Sequence, residues 1–224
     1  TEIYTLSLHD ALPISSRSFS SRPQHDYTDP VAVTDTSTVI AKYQADATSA
    51  TGYQSESALE NALIAQLERQ AYEYADIRGV SAMRENVREQ LEKLNNYQFS
   101  DAEWETFYKT EIANPASGIV DKTRTIQTDH IKNLSRDDGT TKNIALIDKD
   151  NIHRNSLQVI NQYTTKGSDK GNKSNRYDVS ILVNGLPLVH IELKRRGVAI
   201  KEAFNQINRY QRDSFWVDEG LFQY

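Results

Sequence analysis

The sequence predicts an α/β fold in which helices flank a mixed sheet, and three patterns predict it. Residues 176–191 read as two apolar strands joined by a Gly/Pro turn. Residues 197–211 follow with an apolar stripe of helical period made by Ala199, Ala203, Phe204 and Ile207. Residues 57–67 and 81–94 carry the same period earlier in the chain, so helices precede the strands as well as follow them. A chain of 224 residues with 38% hydrophobic and 25% charged side chains is long enough for one or two domains with a real core.

The amino terminus stands apart. The run Thr5-Leu6-Ser7-Leu8-His9-Asp10-Ala11-Leu12-Pro13-Ile14 resembles a translated sequencing-library adapter. Residues 1–14 are therefore read as a non-native artefact, and His9 is set aside with them. A signal peptide fits badly, because no basic segment leads and His9-Asp10 interrupts the apolar part. Residues 15–50 are rich in Ser, Thr, Asp and Pro and read as a flexible arm, with at most a short ordered element near Val39-Ile40. The ordered domain is assigned to residues 51–224 and is expected to begin near Tyr53.

Ser57-x-x-Glu60 has the spacing of a capping box and opens a helix with Leu59, Leu63, Ile64 and Leu67 on its apolar face. Glu56 and Glu60 accordingly read as surface or capping residues. In residues 81–94, Val87, Leu91 and Leu94 make the apolar face of a second helix. Ser100-x-x-Glu103 is another capping box, opening a short helix through Trp104, Phe107 and Tyr108. Asn114-Pro115 and Gly118 mark a turn. Residues 144–147 and 157–163 read as strands entering the same sheet as the 176–191 hairpin. Leu221-Phe222-Gln223-Tyr224 reads as the start of a further strand.

Chemistry concentrates in the hairpin. Asp178 stands near the start of its first strand, and Glu192-x-Lys194 ends its second. Two carboxylates brought together can hold a hard divalent cation through oxygen. A lysine two residues after the Glu projects to the same face, because strand side chains alternate with period two. A metal and an ammonium converging on one spot suit the cutting of a phosphodiester. The register makes a demand. With a two-residue Asn184-Gly185 turn, Asp178 would oppose Ile191 and Glu192 would point to the other face. An odd loop of three or five residues puts Asp178 opposite Glu192. Pro187 favours the longer loop, since it donates no ladder hydrogen bond. An amphipathic hairpin with solvated charges has the same spacing, and the hairpin alone leaves both readings open.

The helix that follows places Gln206 and Tyr210 four residues apart on one face. An Asp-hairpin-Glu-x-Lys followed by Gln-x-x-x-Tyr resembles the PD-(D/E)xK nucleases, in the branch with a Gln-x-x-x-Tyr helix. Asn175-Arg176-Tyr177-Asp178-Val179, Asn184-Gly185-Leu186-Pro187-Leu188-Val189, Ile191-Glu192-Leu193-Lys194 and residues 197–207 are similar to the amino-terminal nuclease domain of the R (restriction) subunit of type I restriction-modification enzymes. Tyr53-Gln54-Ser55-Glu56-Ser57 and Gly118-Ile119-Val120-Asp121-Lys122-Thr123-Arg124 fit the same family, and the resemblance spans roughly residues 30–224. One departure is Tyr177, which replaces the Pro of the family's name; the metal ligand is the Asp beside it.

The resemblance implies a restriction-endonuclease-like sheet and a Mg²⁺ site at Asp178 and Glu192, helped by a backbone carbonyl near Leu193. It implies that Lys194 positions or activates the attacking water and that Gln206 and Tyr210 orient the site or DNA. It also allows an acidic residue of the first helix, Glu56 or Glu60, a place beside the site. The implied substrate is unmodified foreign double-stranded DNA, with recognition left to methylation and specificity subunits. Cutting would follow ATP-driven translocation by domains downstream of this chain, which holds no ATP site and reads as truncated at its carboxyl end. Two other functions share the motif: a repair or junction nuclease with the same core, and an inactive nuclease-like docking module.

Other features bound the reading. The absence of cysteine excludes disulfides and thiolate metal sites and fits a cytoplasmic setting. No apolar run approaches the roughly 20 residues needed to span a membrane. The net charge of −5 requires that any DNA contact use a local basic surface. Candidates are Lys166, Lys170, Lys173 and Arg176, and the run Lys194-Arg195-Arg196; a solvated loop is the alternative for the first. Residues 167–174 superficially look like a phosphate loop, but no lysine follows Gly171 directly and no strand-to-helix context surrounds them. His25, His130, His153 and His190 lack zinc spacing. His190 shares the parity of Glu192 and reads as a non-catalytic partner.

Deleting residues 1–14 should leave folding and cleavage unchanged. Genomic reads that encode them in frame across the junction would overturn the artefact assignment.

Overall fold

A computed structural model describes residues 32–33, 38–39, 55–165, 175–195 and 200–224. Within the first 53 residues, Ala32–Val33 (β1) and Thr38–Val39 (β2) form an antiparallel pair. This includes Val39 of the short element expected there. The rest of the expected arm, residues 1–14, the basic stretch at 166–174, Arg196 and Ala199 lie outside the described residues.

Gln54–Tyr224 form a second unit. It opens with α1 (Glu56–Arg69), capped by Ser55, whose side chain accepts from the Ala58 N–H at 3.1 Å. The cap is therefore Ser55, not Ser57, and Glu60 is free of the capping role the sequence assigned it. After the two-residue strand β3 (Glu73–Tyr74), α2 (Gly79–Asn95) buries Met83, Val87, Leu91 and Leu94 as its period predicts. The second capping box forms as expected: Ser100 caps α3 (Asp101–Phe107), and the Glu103 carboxylate accepts from the Ser100 N–H at 3.0 Å. The helix runs on as a single π turn, Tyr108–Ile112.

Gly118 to Arg124, notable in the sequence only for its wording, belongs to α4 (Ile119–Gln127) and its cap. Lys122 is 3% exposed and donates to the carbonyls of Ile112 at 3.2 Å and Gly220 at 2.7 Å. Its ammonium ties α4 to the carboxyl-terminal segment. Burial pulls its pKa down to about 8, against the opposing charge of Glu219.

Strands β4 (Ile131–Ser135) and β5 (Thr141–Ala145) make their own two-stranded antiparallel sheet. The run at 144–147, read as a strand of the main sheet, thus belongs partly to this hairpin. Its apolar side chains Ile144 and Leu146 are buried in the main core without joining the ladder of the main sheet. The main sheet has the order β3-β6-β7-β8, with β6 (Leu157–Thr164), β7 (Arg176–Val183) and β8 (Leu186–Ile191). β3 runs parallel to β6 and the other pairs are antiparallel, so the sheet is mixed, as expected. Two apolar clusters pack on it. Ile64 and Leu67 of α1 cover Val159 and Val179. Residues of α2, α3 and the carboxyl-terminal segment pack with Ile160, Tyr163, Tyr177 and Leu182. The chain closes with α5 (Ile200–Asp213) and a 3₁₀ segment, Asp218–Gln223. The strand expected at 221–224 does not form. Glu219 and Gly220 take φ of 63° and 66°, which turns the chain so that Leu221 and Phe222 plug the core.

The β7–β8 turn is two residues long, not three or five: Val183 pairs with Leu186. Asn184 and Gly185 have φ of 49° and 81°, the doubly positive pattern of the tightest hairpins. Asn184 is 1% exposed and fully bonded. Its amide donates to Leu146 O at 3.0 Å and Asn155 Oδ1 at 2.8 Å, and its Oδ1 accepts from Ser156 N at 2.8 Å. Parity is restored further along. Leu182 pairs with Pro187 but Ile181 pairs with Val189, so Leu188 is an extra residue in β8, a β-bulge. Pro187 is tolerated because β8 is an edge strand among the described residues and a bulge adjoins it.

A Cβ on Gly185 would lie 2.7 Å from the Val87 Cα of α2, in addition to the left-handed strain. Gly185→Ala should destabilise the domain by about 2–3 kcal/mol. Urea unfolding should show this as a lower midpoint at unchanged slope.

Candidate active site at the hairpin end

Beyond the bulge, β7 and β8 pair Ser180 with His190 and Val179 with Ile191. Continuing that register by one residue sets Asp178 opposite Glu192, on one face. The sequence required this outcome and assigned it to the wrong device: the bulge supplies the odd residue, not the loop. Asp178 is half-buried, and its Oδ2 accepts from the Leu193 N–H at 2.9 Å. Among the described residues, no protein donor is recorded at its Oδ1.

Glu192 is the more enclosed of the pair, with 2% of its side chain exposed against 18% for Lys194. The Lys194 ammonium donates to its Oε1 at 2.5 Å. Burial raises the Glu192 pKa, and the charge of Asp178 adds to the rise. Hydrogen bonds from Lys194 and Tyr210 oppose it without reversing it. For Lys194, burial pulls downward, but its bond to Glu192 and the charges of Glu192, Asp178 and Glu56 win, and its pKa is raised. Lys194 is therefore an ammonium at neutral pH.

The Gln206–Tyr210 pair behaves as its spacing predicts. Gln206 Nε2 donates to the Tyr210 hydroxyl. That hydroxyl lies 2.8 Å from Arg176 O and 3.2 Å from Glu192 Oε2. Its single proton serves one acceptor at a time, and the shorter contact favours the carbonyl. Burial pushes its pKa up to about 12, so the phenol keeps its proton. All five residues singled out in the sequence thus converge: Asp178, Glu192 and Lys194 at the strand ends, Gln206 and Tyr210 from α5.

His190 does not join them. Its Nδ1 meets Ser180 Oγ at 3.0 Å, and its ring packs against Phe215 and Phe222 at 5.0 and 5.2 Å between centroids. Burial lowers its pKa to about 4, which leaves a neutral imidazole packed in the aromatic cluster. Glu60 carried a misread capping pattern in the sequence, and the resemblance allowed it or Glu56 a place beside the site. Glu60 is 8% exposed and accepts side-chain amide bonds from Asn161 and Gln162. Arg176 and Arg195 are exposed near the site, as a local basic surface requires.

Two adjacent carboxylates with hard oxygen donors fit a Mg²⁺ ion, which binds through one or two carboxylates and keeps several waters. Among the described residues, no group of three or more His, Cys, Asp or Glu side chains forms a more elaborate metal cage. The mutually repelling pair, one carboxylate half-buried and the other enclosed, would gain from a cation between them.

The family described as Type I restriction enzyme R protein N terminus matches residues 53–224. The type I restriction enzyme EcoprrI endonuclease subunit of Escherichia coli is 48% identical over 200 residues, covering 89% of this chain and 63% of that protein. The SauMSSORF170P endonuclease subunit of Staphylococcus aureus (strain MSSA476) is 38% identical over 177 residues, covering 77% of this chain and 18% of that protein. A Staphylococcus saprophyticus endonuclease subunit, SsaAORF53P, matches at the same 38% identity over 177 residues. The chain therefore spans about two thirds of the first relative's length, at 63%, and under a fifth of the staphylococcal ones, at 18%. Among the described residues, no helix is long and apolar enough to cross a membrane.

Because Asp178 raises the Glu192 pKa and Lys194 lowers it, opposite shifts should follow from their removal. In metal-free protein, Asp178→Asn should lower the Glu192 pKa and Lys194→Ala should raise it further. A carboxyl-carbon NMR titration of Glu192 reads both. Shifts of the same sign in the two variants would contradict the assigned geometry.

Proposed function

The chain belongs to the family of type I restriction enzyme R protein amino-terminal domains, and from this premise we propose that it is the DNA-cleaving domain of a type I restriction endonuclease subunit. The observation that carries the reading is the row made by the bulge: Asp178 opposite Glu192, with the Lys194 ammonium bonded to the second carboxylate. Asp178 and Glu192, with a backbone carbonyl near Leu193, would hold Mg²⁺. The bound ion would polarise the scissile phosphate and make hydroxide accessible at neutral pH.

Lys194 is the residue that orients the attacking water or neutralises charge on the phosphate oxygens in the transition state. Its raised pKa suits the electrostatic role, since it stays charged throughout the neutral range. Tyr210, braced by Gln206 and anchored on Arg176 O of β7, sets its hydroxyl against Glu192 Oε2 and limits the movement of that carboxylate. On this reading the domain cuts double-stranded DNA without sequence selection of its own. Recognition of unmodified foreign sites belongs to methylation and specificity subunits of the assembled enzyme, and ATP-driven translocation to further domains of the full-length subunit.

In the complete enzyme, Asp178→Ala and Glu192→Ala should each abolish Mg²⁺-dependent cleavage and leave ATP hydrolysis nearly intact. Lys194→Ala should spare metal binding and lose cleavage. Lys194→Arg should rescue poorly, because a rigid planar fork does not replace a compact ammonium. Unchanged cleavage by both carboxylate variants would remove the assignment.

A further inference from the structure

Gln162 has φ of 53°, a left-handed conformation in the middle of strand β6. Left-handed backbone costs a non-glycine residue on the order of 1–2 kcal/mol. The β6–β7 ladder pairs Asn161 with Val179 and Tyr163 with Tyr177, and passes over Gln162 and Asp178. Those two face each other across the gap, so Gln162, Asp178 and Glu192 form one row across three strands.

Side-chain alternation changes at that row. In a regular strand, residues two apart share a face. Val179 packs with Ile64 and Leu67 of α1, whereas Tyr177 packs in the other cluster, against Tyr210 and Phe222. The kink is held from α1. Glu60 Oε2 accepts from Gln162 Nε2 at 2.5 Å, and Glu60 Oε1 from Asn161 Nδ2 at 2.5 Å. Asn161 is fixed in turn by the Tyr74 hydroxyl, at 2.9 Å from its Oδ1, and by Arg78 at its carbonyl, 3.1 Å.

We propose that Glu60 and Gln162 are positioning residues: Glu60 clamps Gln162 in its left-handed state, which opens the ladder at Asp178 and turns that carboxylate toward Glu192. The proposal rests on the reading of Asp178 and Glu192 as a metal pair. Each Glu60 oxygen accepts one amide N–H, from Asn161 and Gln162, so the role proposed for Glu60 runs through Gln162 and not through direct contact with the metal.

The test is Mn²⁺ binding to the 224-residue chain by calorimetric titration, with thermal melting recorded for every variant. Gln162→Gly accepts the positive φ without strain but loses the tether. It should fold and lose about tenfold or more in Mn²⁺ affinity, the usual cost of removing an outer-shell partner. Gln162→Val, stiff and β-branched, should restore ladder pairing and lose at least as much. Glu60→Gln keeps the shape, removes one acceptor, and should weaken Mn²⁺ binding similarly at a nearly unchanged melting temperature. Asp178→Asn is the reference. If it binds Mn²⁺ like wild type, the metal reading fails independently of the clamp. If it loses binding while both Gln162 variants bind normally, the clamp is overturned. Loss in Glu60→Gln with both Gln162 variants intact would make Glu60 a direct ligand and equally overturn it. Should Gln162→Val fail to fold, Gln162→Gly alone decides.

Discussion

One residue of slippage in β8 governs the site. The Asn184-Gly185 turn locks the hairpin in a register that would send Glu192 to the wrong face, and the bulge at Leu188 cancels that error before the carboxylates are reached. Turn and bulge are therefore a matched pair. Each is fixed by separate contacts: the turn by the buried Asn184 amide, the bulge by an edge position that tolerates Pro187. The apolar sheet beneath supplies rigidity, and the irregularities at its end decide which way the charges point.

Those charges are arranged at some cost to stability. Glu192 is buried beside another carboxylate and is neutralised by Lys194, a pairing whose desolvation offsets much of its attraction. Gln162 holds a strained backbone two strands away. Strain and perturbed pKa values gathered at one end of a sheet are characteristic of functional sites. Lys122, buried elsewhere in this unit, is by contrast satisfied by two carbonyls.

Local signals were legible in the sequence and long-range pairing was not. Ser100 and Glu103 sit three apart and cap α3 without help from distant residues. Val87, Leu91 and Leu94 announce α2 by period alone. Four of the five candidate site residues were readable because Glu-x-Lys and Gln-x-x-x-Tyr each fix relative direction within a single element, whereas the placing of Asp178 opposite Glu192 depends on the register between two strands. The bulge was invisible, since Leu188 differs in no way from its apolar neighbours. Residues 144–147 were assigned to the wrong sheet because an apolar run states burial and not its partner. Ser57 and Glu60 matched a capping pattern by coincidence, while Ser55, two residues earlier, held the helix. Nothing in a glutamine's identity announces a positive φ, so Gln162 could be found only in three dimensions.

The turn has a chemical consequence as well as a geometric one. Asn followed by Gly is the dipeptide most prone to spontaneous deamidation, in which the glycine nitrogen attacks the asparagine side-chain carbonyl and closes a succinimide. In the folded domain the Asn184 side chain is held away from that path by Leu146, Asn155 and Ser156, and excluded from water. In an unfolded chain it is exposed. Opening of the succinimide to isoaspartate would add one carbon to the backbone at the point where register is set. The same two residues that align the carboxylates therefore make the domain's competence to refold decay with time spent unfolded, and burial of the turn is what stops that clock.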